Sequence, residues 1–140
     1  MSDFNSNGSS NVTKTVKYSD LNLSMPLHPQ LDDITPLKDI DAVRQAVKNL
    51  ILTNFYDRPF HPELGSGVTA LLFENASIFT AMRIRDEIKR VLEDHEPRVN
   101  VIDVDIVDNS DANVYHISIA FNIIHIQRDA EVSFNLQRIR

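Results

Sequence analysis

The hydrophobic pattern changes period once, at Pro97, and that switch limits what the chain can fold into. Before it, Ile78, Met82, Ile88, Val91 and Leu92 recur at helical spacing, with Ala81 and Ile84 at the margins of the stripe. After it, Val99 to Val107 is rich in β-branched residues. Tyr115, Ile117, Ile119, Phe121 and Ile123 then alternate with His116, Ser118, Ala120 and Asn122. A proline disfavours helical geometry in the residue before it, so the long helix is expected to end near His95. Ser77 is placed to cap its start. Arg83 with Glu87, and Asp86 with Arg90, are spaced to pair along it.

The rest of the chain fits around that switch. An earlier helix is predicted from Asp39 or Asp41, either of which suits the N-terminal amides, with Val43, Val47, Leu50 and Ile51 on its apolar face. It fades near Thr53 and Asn54. Residues 57–67 contain Pro59, Pro62, Gly65 and Gly67 and read as a structured loop. One or two helical turns follow from Val68, with Leu71, Leu72 and Phe73 as buried anchors. Asn109 to Asn113 is a turn cluster. A break near Gln127, Arg128 and Asp129 precedes a last strand, in which Val132, Phe134 and Leu136 alternate with polar residues. The expected fold class is α+β, with helices packed on one face of a small antiparallel sheet. Residues 1–38 read as an extended or disordered N-terminal arm, and 39–140 as the domain. The arm's first fifteen residues hold too few apolar groups to offset the entropy of ordering.

Composition narrows function mostly by exclusion. The chain of 140 residues has no cysteine, so disulfides, thiolate chemistry and sulfur-ligated zinc are ruled out. A net charge of −6 argues against wrapping nucleic acid. No apolar run is long enough to span a membrane, and the polar N-terminus lacks the core of a secretory signal. Catalytic and metal motifs fail on spacing. Glu63 and Glu74 have nothing that brings them together as a glycosidase pair. Asp103, Asp105, Asp108 and Asp111 lack the glycine and glutamate of a calcium loop. His61 and Glu63 lack the cysteines of a zinc deaminase. Gly65-Ser66-Gly67 is not a nucleophile elbow. The basic residues Arg83, Arg85, Lys89 and Arg90 are interleaved with acids and read as a solvated face. No catalytic residue, metal site or cofactor is assigned.

Recognition remains, at two places. The terminal strand of a meander lies at an edge, where unpaired N–H and C=O groups can accept a foreign strand. Arg128, Arg138 and Arg140 could instead simply protect that edge. At the helix-to-strand junction, Arg98 of Glu96-Pro97-Arg98 can fork onto a partner's carboxylate or form an internal salt bridge. The sequence leaves both choices open.

The motifs Arg58-Pro59-Phe60-His61-Pro62-Glu63-Leu64-Gly65-Ser66, Leu72-Phe73-Glu74-Asn75 and Glu96-Pro97-Arg98-Val99 follow one another at a spacing that resembles the baseplate wedge proteins of contractile phage tails. These are the sheath initiators of T4-like phages, and the type VI secretion baseplate subunit is similar. The resemblance spans Asp39 to Arg140. Tyr18-Ser19-Asp20-Leu21 looks like the N-terminal segment of the T4-like members, which favours a phage origin. The resemblance implies a structural, non-enzymatic protein of the virion baseplate, assembled in the host cytoplasm, with six copies per ring. It implies a fold like the interlocking domain of sheath proteins. Its implied partners are baseplate wedge proteins, the tail sheath protein and the tail tube, with no nucleic acid, membrane or cofactor. It assigns wedge-core contact to Glu96, Pro97 and Arg98, strand acceptance to the sheet at Val132, Phe134 and Leu136, and a mainly architectural role to residues 58–67. The contrasting class is a lysozyme-like peptidoglycan hydrolase of the tail, a label some such proteins have carried.

Overall fold

The computed structural model describes residues 18–30, 33–75, 77–109 and 111–138. The first seventeen residues of the arm lie outside the described residues. Where the arm is described, β1 (Ser19–Asp20) pairs antiparallel with β2 (Leu37–Lys38). Gln45 ties the arm to the first helix by donating to the Leu21 carbonyl at 3.0 Å.

Helix α1 (Ile40–Leu52) buries Ala42, Val43, Val47 and Ile51. Asp39 occupies its N-cap position without capping through its side chain. Its carboxylate accepts instead from the Tyr18 amide at 3.4 Å. Helix α2 (Val68–Leu71) buries Val68 and Leu71, and Leu72 follows them inward. Phe73 does not: it is exposed, contrary to the expectation of a third anchor.

Helix α3 (Ile78–His95) starts where expected, with Ser77 Oγ accepting from the Thr80 amide, and ends at His95. Its buried row is Thr80, Ile84, Ile88, Val91 and Leu92. Ile78 and Met82, read as part of the apolar stripe, are exposed at 75% and 58%. At about 100° per residue, Met82 lies roughly opposite both Ile84 and Val91, and a helix lying on a sheet can bury only one such face. The helix-surface pairs also differ from the expected ones. Arg83 reaches Glu74 at 2.6 Å rather than Glu87, and Arg90 bonds Glu87 and Asp94 rather than Asp86.

Strands β3 (Val99–Asn109), β4 (Val114–Ile123) and β5 (Arg128–Gln137) form an antiparallel meander in the order β3-β4-β5. The β4–β5 register is unbroken, whereas β3 carries an irregularity at Ile102. Helix α3 packs against β3 and α1 against β5. Both therefore cover the face that carries Val104, Ile117, Ile119, Phe121, Phe134 and Leu136, all buried in one core. The α+β expectation, helices on one face of a small sheet, matches this architecture.

Candidate functional site

The Glu96-Pro97-Arg98 junction is built by the break itself. Pro97 stops α3, and Arg98 sits in the turn two residues after Glu96, just before β3 begins at Val99. Glu96 is only 6% exposed, a cost for a carboxylate unless it is paired. Arg98 pairs it internally, with Nε donating to Oε1 at 2.6 Å and Nη2 to Oε2 at 2.7 Å. The Glu96 carboxylate, helped by Asp20 and Tyr18, holds the Arg98 guanidinium above its usual value against the opposing effect of burial. The same guanidinium lies 5.4 Å from the centre of the Tyr18 ring, which stacks the arm onto the junction. Arg98 thus spends its bidentate fork inside the chain.

An open groove runs past this junction, lined among others by Asp20, Leu21, Leu23, Arg58, Leu64 and Glu96. It brings the Arg-Pro-Phe loop and the Glu-Pro-Arg junction, separated in sequence, onto one surface. The loop's backbone is tightly knit. Tyr56 N–H donates to Pro62 O at 3.1 Å, Ser66 N–H to Thr53 O at 2.8 Å, and Ser66 Oγ to Ile51 O. A side chain at Gly65 would sit 2.6 Å from the Asn54 backbone. Phe60 nevertheless projects into solvent, 92% exposed.

The other sequence-predicted residues lie in β5. Phe134 and Leu136 are buried and Val132 is partly buried, so their side chains serve the core. Backbone direction follows from parity, because hydrogen-bonded and non-hydrogen-bonded pairs alternate along an antiparallel ladder. The Ile124 amide donates to Arg98 O at 3.1 Å, one step beyond the Val99–Ile123 pair. Even-numbered residues of β4 therefore face β3. The Arg138 amide donates to Asn113 O at 2.8 Å, one step beyond the Val114–Gln137 pair. Odd-numbered residues of β4 and even-numbered residues of β5 therefore face each other. Val132, Phe134 and Leu136 direct both side chain and backbone inward. The groups on the outer edge belong to Asp129, Glu131, Ser133, Asn135 and Gln137. Among the described residues, no other strand pairs with that edge. Period-2 reading separates these two sets of side chains but cannot say which set faces β4.

The residues weighed for catalysis are engaged elsewhere. Glu74 holds Arg83 on the surface. Glu63 is exposed, and its own backbone amide together with the His61 ring keeps its carboxyl below the usual range, the reverse of what a general acid needs. Among the described residues, no group of three or more His, Asp or Glu is placed to hold a metal, and no helix is long and apolar enough to cross a membrane.

The family profile of baseplate wedge protein gp25 matches residues 38–128, from β2 through the start of β5. The chain belongs to the baseplate wedge protein gp25 family. The baseplate wedge protein gp25 of Enterobacteria phage T4 is 26% identical over 114 residues, covering 81% of this chain and 86% of the phage protein. Three solved structures share the fold. A Geobacter sulfurreducens protein, described provisionally as a tail lysozyme, superposes with a TM-score of 0.65 at 18% identity, covering 70% of this chain and 89% of its own. A chain of the anti-feeding prophage baseplate gives 0.60 at 19% identity, with 88% and 87% covered. One of the postcontracted pyocin R2 baseplate gives 0.54 at 18% identity, with 86% and 98% covered. As a member of the gp25 family, the protein is a structural subunit of a contractile-tail baseplate, assembled there with other baseplate proteins.

Proposed function

We propose that this gp25-family subunit initiates the sheath by accepting a strand from a first-ring sheath subunit along the outer edge of β5. The observation that carries the reading is the unbroken ten-residue register of β5, whose outward backbone groups lie at Asp129, Glu131, Ser133, Asn135 and Gln137. Val132, Phe134 and Leu136 contribute by anchoring the strand to the core so that its edge stays straight. Each main-chain bond adds only about 0.5–1.5 kcal/mol net, so the docking depends on several forming together.

The second half of the proposal concerns the wedge. The groove beside Glu96, with Leu21 and Leu23 on one rim and Arg58 on another, is where the subunit sits on the wedge core. Glu96 and Arg98 shape that surface through their internal pair, and Pro97 fixes the turn between them. The tube and a copy number of six per ring follow from the family resemblance. The protein catalyses no reaction in this role.

The test uses baseplates assembled with the full chain or with its Ser133→Pro/Asn135→Pro variant, given purified sheath protein and viewed by negative-stain electron microscopy. Both substitutions remove outward donors and spare the β4 ladder. Sheath rings are expected on the first and absent from the second. Normal rings on the variant would overturn strand acceptance at β5.

A further inference from the structure

A three-stranded meander has two edges, and the edge of β3 differs from that of β5. The register of β3 slips between Val101 and Asp103, which breaks the even spacing of its outward groups. By the parity fixed above, Val104, opposite Ile119, directs its backbone outward. Both of its main-chain groups are already occupied by side chains. Asp103 Oδ1 accepts the Val104 amide at 2.8 Å, and Arg85 reaches across from α3 so that Nε donates to the Val104 carbonyl at 2.7 Å. The Arg85 and Asp103 head groups lie 3.6 Å apart, so the two plugs sit side by side, each held by its own bond to Val104. A strand arriving at β3 would have to displace a charge-assisted bond in the middle of the edge. No comparable side-chain bond to the outward backbone of β5 is seen among the described residues.

We infer that Arg85 and Asp103 close the β3 edge, so that the sheet takes a foreign strand on the β5 side only and copies of the chain cannot join head to tail, β5 of one onto β3 of the next. The inference rests on the proposed acceptor role of β5. A heterologous contact of this kind does not close on itself and would string subunits into open chains away from the baseplate. Edge strands are ordinarily kept from such pairing by bulges and charges, and here both devices fall within three residues, Ile102 to Val104.

The experiment is sedimentation of the purified full chain across a range of concentrations, alongside Arg85→Met/Asp103→Ala. The methionine keeps an aliphatic stem against the sheet and removes only the guanidinium. The opened variant is expected to show a weight-average mass rising from one chain toward several as concentration increases, with the parent at lower mass throughout. Asp103→Asn, which keeps an acceptor for the Val104 amide, is expected to behave as the parent. Circular dichroism checks that each variant is folded, and Arg85→Met alone repeats the test if the double variant is not. An opened, folded variant with the parent's mass profile would overturn the inference. Adding Ser133→Pro/Asn135→Pro to the opened variant is expected to abolish the association. If association persists, β3 closure is upheld and the acceptor role of β5 falls.

Discussion

A proline scan along β5 should split by parity, and the split tests the geometry directly. Proline at Ser133 and Asn135 removes two N–H groups that point away from β4, an arrangement in which an edge strand tolerates proline. The folded chain should lose no more than about 1 kcal/mol per site, from strain in φ and lost cross-strand contacts such as the one between Asn135 and His116. Binding of sheath protein should lose two main-chain bonds, about 1–3 kcal/mol. That is roughly a 5- to 150-fold weaker dissociation constant. Val132→Pro does the opposite. It removes an N–H directed at β4 and leaves an acceptor near Ile119 unmatched inside the core, which costs about 2–4 kcal/mol with the lost packing. At this chain length the melting temperature should fall by roughly 10 °C. Thermal melts by circular dichroism and equilibrium binding to immobilised sheath protein read the two series. Should Ser133→Pro/Asn135→Pro melt as low as Val132→Pro, the parity is wrong. Should it melt normally and bind sheath protein undiminished, the strand is accepted elsewhere.

Arg98→Ala strands the buried Glu96 carboxylate and should lower stability by about 2–4 kcal/mol in urea unfolding, whereas Glu96→Gln/Arg98→Met should recover much of it. A recovered double variant that still fails to enter baseplates would assign wedge contact to the pair itself. Gly65→Ala places a methyl against the Asn54 backbone at a φ of 156° and should cost about 2 kcal/mol or more in the same assay. Tyr115→Phe should leave stability unchanged or raise it by up to about 1 kcal/mol, because the hydroxyl is buried with no hydrogen-bond partner among the described residues. Glu87 accepts from Arg90 and from the Gly67 amide, and these bonds hold its carboxyl below the ordinary 4.5 despite partial burial. A depressed folded-state value means that the stabilisation is present above about pH 4.5 and fades as pH falls through the lower folded value. Glu87→Gln should therefore cost about 1 kcal/mol at pH 7, with the gap to the parent closing in melts taken progressively below pH 4.5.

Which parts of this were legible beforehand depends on whether a signal is local. The change of period at Pro97, the Ser77 cap and the alternation of Tyr115 to Ile123 are one-dimensional patterns, and each survives into α3, β3 and β4 unchanged. Faces were harder. Ile78 and Met82 fit a helical stripe as well as Ile84 does, yet only the row resting on β3 could be buried. The residues of the proposed strand acceptor were harder still. Alternation identifies Val132, Phe134 and Leu136 as the inward side chains, and it is natural to place recognition on the most hydrophobic residues of an edge. A strand, however, is recruited by backbone groups. Which residues present them is decided by pairing with β4, a non-local fact carried by two terminal hydrogen bonds, from Ile124 to Arg98 and from Arg138 to Asn113. Arg85 read as part of a solvated basic face for a similar non-local reason. Its role depends on a carbonyl nineteen positions further along the chain, brought within 2.7 Å only when α3 settles on β3. Sequence periodicity can therefore say that the sheet has two edges, but only the register says which backbone groups lie along each of them.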